Sequence, residues 1–336
     1  MQKAHNSATI ETTIIRKEKE AVPIPDSKRK LTVDEQIAHL KHKGVQFRLM
    51  DEAAARDYLR YNSNFFKLTA YRKNYPKHPG GAKTGQYVRL EFAHLVDLAT
   101  IDMEWRYQIM QMALDIEHHA KLQILRLLEA EGADAYDIVA AYRAALSEND
   151  RRILDDELQR NRGNVYCGAL AEKYAQRLPV WVFLELVSFG KLLSFYRFVA
   201  ETYHQRAMKN MFYCLLDCKT LRNAAAHNSC LLNDLSAGGA RRVNADVAQA
   251  LAAIDALPKT FRRQKLSCER LRQLVTLLYA HRAMVTSDSL HQREAERLQA
   301  LLARMHAHDD YYSEQDLIRT SFAFLGVVID NWYALR

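Results

Sequence analysis

From about Val88 to Glu129, apolar residues return every three or four positions, Trp105, Ile109, Met112, Ile116 and Ala120 among them. That interval follows the 3.6 residues of a helical turn, not the two-residue period of a strand. One long helix with a buried face is therefore predicted, and Gly132 is its expected end. The chain has only 11 Gly and 6 Pro among 336 residues, which favours helices over a turn-rich β fold. No internal repeat and no strand pattern is visible. The fold class expected is all-α.

Punctuation divides the rest. Residues 1–30 are polar, mixed in charge and end in "VPIPDSKRK", which reads as a flexible tail. An N-terminal helical region is expected over 31–87, a helical core over 88–235 and a C-terminal helical extension over 236–336. Thr32 and Glu35 form a capping-box pattern before Ile37 and Leu40, and Gly44 closes that helix. "PKHPGGAKTG" is a loop. Shorter helices are expected over about 134–147 and 150–160. Pro179 opens a strongly apolar helix, "PVWVFLELVSFGKLLSFYRFVAETY". Further helices are expected to start near Thr260, Ser267 and Ser313.

The formal net charge of +8 and 26% charged residues suit a globular protein with an affinity for polyanions, nucleic acid first among them. Five scattered cysteines do not make a disulfide framework. Cys214 and Cys218 share a helix face and read as buried small residues. The first twenty residues lack the apolar stretch of a signal peptide, and no run reaches the roughly 18 apolar residues of a membrane span. A cytoplasmic protein without a membrane partner is expected.

One stretch carries chemistry. In "KTLRNAAAHNS", Lys219 to Ser229, an Arg-Asn pair and a His stand on either side of three alanines. Cleaving RNA through its own 2′-hydroxyl needs a proton carrier near neutral pH, which His supplies. It also needs a fixed cation for the charge on phosphorus, which Arg supplies. Asn223 is placed to orient the phosphate or the His, and no metal or other cofactor is required. Arg222 and His227 are five apart, about 140° around an ideal helix, so they do not share a face. Either the helix is distorted there or a second copy of it completes the site. The alanines suit close approach of two such helices, and they equally suit ordinary core packing. Arg89 with His94, Arg72 with His78 and Arg197 with His204 show similar spacing without the Asn.

The phrases "LTVDEQIAHLKHKGV", "YLRYNSNFFKLTAYRKNY", "LVDLATIDMEWRYQIMQMALDIEHHAKLQI", "LPVWVFLELVSFGKLLSFYRF" and "LRNAAAHNS" occur in that order over residues 31–235. Together they resemble the Abi family of bacterial abortive-infection proteins, its AbiD/AbiF-like group, within the HEPN superfamily of helical RNA-binding domains and ribonucleases. The HEPN signature is Arg, a polar residue, a short spacer and His, which Arg222, Asn223 and His227 match. The resemblance implies a metal-independent endoribonuclease whose site is shared by two helices of a homodimer. It implies products with a 2′,3′-cyclic phosphate and a 5′-hydroxyl, a small non-coding RNA as a partner, and a HEPN-type core over 88–235. Members commonly carry a second His and a following Arg, at places held here by Asn228 and Cys230.

Other residues have two readings. Glu185 and Ser188 lie in an apolar helix, where a carboxylate needs a partner. Glu185 would orient Arg222 or His227, or make a buried structural hydrogen bond. Asp102, Arg106 and Glu117 match family positions and read as inter-helix ion pairs. Arg262, Arg263, Lys265, Arg270 and Arg272 suit an RNA backbone or a solvated helix face equally. The aromatics of "YNSNFFKLTAYRKNY" suit base stacking, and more readily core packing. His118-His119 would ligate a metal only with carboxylates from elsewhere, and "HAHDDYY" lacks the spacing of a zinc site. The expected activity is a phage-defence or toxin ribonuclease. The alternatives are a catalytically silent or trigger-dependent RNA-binding protein and a partner that neutralises another toxin.

Overall fold

The computed structural model describes residues 29–335, and all but the last two residues of the tail expected over 1–30 lie outside them. Three short helices come first: α1 (Val33–His42), α2 (Glu52–Tyr61) and α3 (Phe65–Ala70), the last continued by a 3-10 turn, Tyr71–Asn74. The long rod is α4 (Phe92–Ala130), 39 residues and about 58 Å. α5 (Asp137–Ala145), α6 (Glu148–Asn161), α7 (Gly168–Lys173), α8 (Val180–Leu186) and α9 (Phe189–Thr202) lead to α10 (Arg206–Ala226). Beyond it run α11 (Ala245–Ala252), α12 (Lys259–Leu266), α13 (Glu269–Met284), α14 (Asp288–His306), α15 (Asp309–Tyr312) and α16 (Asp316–Trp332). Among the described residues only isolated β-bridges break this pattern, so the fold is all-α.

The predicted local signals act as physics requires. Thr32 Oγ1 accepts the Glu35 N–H, and the Glu35 carboxylate accepts the Thr32 N–H at 2.8 Å. Gly44 ends α1 with φ +82°, and a Cβ there would lie 2.8 Å from Gln86 Cβ. Trp105, Ile109, Met112, Ile116 and Ala120 are all fully buried.

α4 is the axis: α9, α10, α13 and α14 pack along it. α10 is itself enclosed by α4, α9 and α13. A single hydrophobic cluster runs from Ile37 to Tyr333, so the helices after residue 235 share one core with those before it. The tie between them is polar as well. Arg272 on α13 is buried and forks onto Asp217 of α10, at 2.6 and 2.8 Å, while Glu269 takes two more of its N–H groups.

Two helix boundaries differ from expectation. The apolar run after Pro179 is not one helix, because Val187 and Ser188 turn extended and separate α8 from α9. Glu157 of α6 holds that break open by accepting the Ser188 N–H at 2.5 Å and its hydroxyl at 3.3 Å. The last helix starts at Asp316, not Ser313, because Ser313 terminates the short α15.

Candidate functional site

The helix that carries the Arg-Asn-His stretch stops inside it. Ala226 is the last residue of α10, and His227 is the C-cap. Asn228 then adopts the left-handed conformation, φ 58°. Its N–H reaches the Ala225 carbonyl at 3.0 Å, and the Ser229 N–H reaches that of Ala224 at 2.8 Å. This pair of bonds is a Schellman motif, and Asn is the residue after Gly best suited to its left-handed position. Asn228 therefore has a local structural role.

Asn223 links the other two residues. Its Oδ1 accepts from Arg222 Nη1 at 3.3 Å, and its carbonyl accepts the His227 N–H at 3.0 Å. His227 is exposed, and its ring has no partner among the described residues. Arg222 is half-buried on another side of the helix, near Glu117 of α4. No hydrogen bond joins the Arg222 and His227 side chains. The helix is not distorted before His227; it ends. Of the three alanines only Ala225 is buried, whereas Ala226 is exposed beside His227.

Around Arg222 the charges alternate. Burial raises the pKa of the Glu117 carboxyl, against the pull of Lys121 and Arg222, and Glu185 adds to the rise. Lys121 Nζ lies 3.5 Å from Glu185. Lys219, three residues before Arg222, passes beside Gly190, which follows the break between α8 and α9. Among the described residues Glu185 holds Lys121 of α4 in an ion pair, and no carboxylate occupies Arg222 in one.

The segment after His227 is anchored to α4. Asp102 is fully buried, and its Oδ1 accepts the N–H groups of Leu231 and Leu232 at 2.6 Å each. Its Oδ2 is paired with Arg106. Cys230 Sγ meets the Lys67 carbonyl at 3.5 Å. Beside this anchor, between α3 and α4, lies a cavity of about 250 Å³ with Lys67 and Arg106 in its wall.

The Abi-like protein profile matches residues 58–233, just over half of the 336-residue chain, from within α2 through the whole motif. The chain belongs to the Abi-like protein family. No curated protein and no solved structure matches it.

In this Abi-like protein several expected roles move. Glu185 is not buried: its side chain is 63% exposed and it pairs with Lys121. It shares a charge cluster with Arg222 through Glu117. Asp102 and Arg106 are paired within α4, not between helices, and the link to another segment runs through backbone N–H groups. Arg272 and Lys265 are neither a phosphate row nor a solvated face. Arg272 is locked between Asp217 and Glu269, and buried Lys265 donates to Ser321 at 3.2 Å. Arg270 donates to the Asp234 carbonyl at 3.1 Å, which leaves Arg263 as the exposed member of that set.

Cys214 and Cys218 are buried and free, and burial pushes the Cys214 thiol up to about 12. Among the described residues no His, Cys, Asp and Glu side chains converge to hold a metal. None of the described helices is long and apolar enough to cross a membrane. The "YNSNFFKLTAYRKNY" aromatics divide: Tyr71 and Tyr75 are core, whereas Tyr61 and Phe66 are exposed. The charges missed in the sequence are Lys67, Lys121 and Lys219. Their only signal was position on the helical wheel relative to residues far away in the chain.

Proposed function

We propose that this Abi-like protein is a metal-independent endoribonuclease of the HEPN type, active as a homodimer in abortive infection. The observation that supports it is the C-terminal end of α10: an exposed His227 whose backbone N–H is held by the Asn223 carbonyl, with Arg222 donating to the Asn223 side chain and lying near the Glu117 carboxylate.

In the proposed reaction the 2′-oxygen of RNA forms a bond to phosphorus and the bond to the 5′-oxygen breaks. One imidazole takes the 2′-hydroxyl proton and another returns a proton to the leaving 5′-oxygen. Arg222 holds the charge that builds on the phosphoryl oxygens, and Asn223 keeps its guanidinium in place. The products are a 2′,3′-cyclic phosphate and a 5′-hydroxyl. Since no hydrogen bond joins the Arg222 and His227 side chains within one chain, the two-fold pairing of two α10 ends supplies the missing partner, and the small exposed Ala226 permits close approach. The RNA partner is a structured or small non-coding RNA.

The test is cleavage of cellular RNA by purified protein, with end-group analysis. Arg222→Ala and His227→Ala are each expected to abolish cyclic-phosphate ends, and a chelator is expected to change nothing. Cleavage that survives both substitutions, or stops with the chelator, overturns the mechanism.

A second reading is a silent or trigger-dependent RNA-binding protein. Asn228 and Cys230 favour it, since Asn228 is occupied as a helix cap and Cys230 offers no charge to a phosphate. One discrete RNA copurifying intact with the wild-type chain would support this reading.

A further inference from the structure

The cavity between α3 and α4 has an unbalanced charge. Lys67 and Arg106 are both in its wall, with Asn62, Ser63, Asn64 and Tyr71. One carboxylate, Asp102, is within reach, and it is fully engaged: Oδ1 by Leu231 and Leu232, Oδ2 by Arg106. The Lys67 ammonium has no hydrogen bond or ion pair among the described residues. Burial and then the neighbouring Arg106 charge lower its pKa, and the opposing pull of Cys230 and Asp102 does not cancel them. The hydroxyl of buried Tyr71 makes no hydrogen bond of normal geometry, with only the Asp102 carboxylate and the Cys230 thiol as polar neighbours.

The size and rim are selective. About 250 Å³ lies below the roughly 300–1,000 Å³ of pockets that enclose drug-sized ligands, so it suits one phosphate with part of its sugar. Asn64 Oδ1 is used on the Phe66 N–H at 2.8 Å, which leaves its amide NH₂ as a donor. Tyr61 and Phe66, immediately before Asn62 and Lys67, are 75% and 84% exposed. Exposed rings beside a cationic hollow are the parts of a single-strand nucleic-acid groove, with phosphate below and base stacked above.

A larger cavity of about 860 Å³ lies between α1 and the loop before α4. Three of its cations are already paired, Lys41 with Glu52, Arg48 with Glu91 and Arg89 with Glu314, and its remaining lysine, Lys83, is exposed to solvent, unlike half-buried Lys67.

We propose that the cavity between α3 and α4 is a phosphate subsite for single-stranded RNA, in which Lys67 and Arg106 hold a phosphodiester flanking the one at His227 and Phe66 stacks a base. Lys67 in its wall meets Cys230, three residues beyond His227, through its backbone carbonyl, which puts the cavity beside the segment that follows the motif. The assignment of a flanking position rests on the ribonuclease reading; the affinity for an RNA phosphate does not. Lys67 is a positioning residue here.

The experiment measures anisotropy of a short fluorescent single-stranded RNA at several salt concentrations, on the full chain carrying His227→Ala to prevent cutting. Adding Lys67→Gln is expected to weaken binding about tenfold and to lower the salt slope by about one. Lys67→Arg is expected to restore both. Phe66→Ala is expected to weaken binding about tenfold with an unchanged salt slope, and its exposed ring makes it a safe second variant if Lys67→Gln misfolds. Unchanged affinity and slope in these variants, or no RNA binding by the His227→Ala chain, overturns the subsite. If the wild-type chain never cleaves yet Lys67→Gln weakens binding, the subsite stands and the nuclease reading falls. If Lys67→Gln cleaves and binds as wild type does, the reverse holds.

Discussion

Asp102 Oδ1 accepts the backbone N–H of Leu231 at 2.6 Å, across 129 positions of sequence. The same oxygen takes the Leu232 N–H, and the other oxygen pairs with Arg106. One buried carboxylate thus fixes where the chain goes after the candidate catalytic His227, and it keeps a buried guanidinium company.

Asp102→Ala is expected to cost about 3–5 kcal/mol, because it leaves Arg106 buried without a counter-charge and two buried N–H groups without an acceptor. Asp102→Asn keeps a carbonyl oxygen for the two N–H groups and is expected to cost less. Urea unfolding of the three chains checks the order. Equal midpoints would show that the carboxylate does not anchor the segment.

His227→Ala is expected to leave stability within about 0.5 kcal/mol, since the ring is exposed and unpartnered. Cleavage is expected to fall by about 10²–10⁴-fold, the range of a lost proton carrier. Thermal melting and single-turnover cleavage on the same preparation separate the two effects. A large loss of melting temperature would assign His227 a structural role instead.

Asn228 is at φ 58°. A β-carbon without a compensating polar side chain costs about 1–2 kcal/mol there, so Asn228→Val is expected to destabilise by at least that amount. Asn228→Gly is expected to be neutral within a few tenths of a kcal/mol. The same melting assay decides, and equal losses for both would mean that the left-handed turn is not what Asn228 provides.

His281 on α13 is fully buried, with its Nδ1 3.0 Å from the Tyr333 hydroxyl and its Nε2 3.4 Å from Asp115. Burial lowers its pKa from 6.5 to about 4, against Asp115, with His291 and His119 lowering it further. The unfolded chain therefore binds this proton at a higher pH than the folded chain does. The stabilisation is complete above about pH 6.5 and disappears as the pH falls toward 4, a loss of about 3 kcal/mol. Urea midpoints between pH 7.5 and 4.5 should follow that curve, and His281→Gln should flatten it. A slope that His281→Gln leaves intact would place the titration elsewhere.

The parts of this fold that were legible in the sequence are those whose cause is local. Thr32 and Glu35 are three residues apart, and their capping box follows from that spacing alone. The α4 rod follows from the apolar period around Trp105. The break at Ser188 was not legible, because its acceptor, Glu157, belongs to another helix. Glu185 was misjudged for a related reason: apolar neighbours show that a helix is packed, not which of its positions faces water. At the site, Arg222, Asn223 and His227 stand out by residue type. That α10 ends at Ala226 was harder to see, because the left-handed residue after the cap is Asn228 rather than a Gly. The hollow at Lys67 needs Arg106 from another helix and therefore leaves no mark on either stretch alone.

The Arg272 fork onto Asp217 reaches past the end of the family match at residue 233. An ancestral exchange that joined a foreign C-terminal half at that border would strand Asp217 on a helix it can no longer balance. At this ion pair, therefore, a change on either side of the border constrains which changes the other side tolerates.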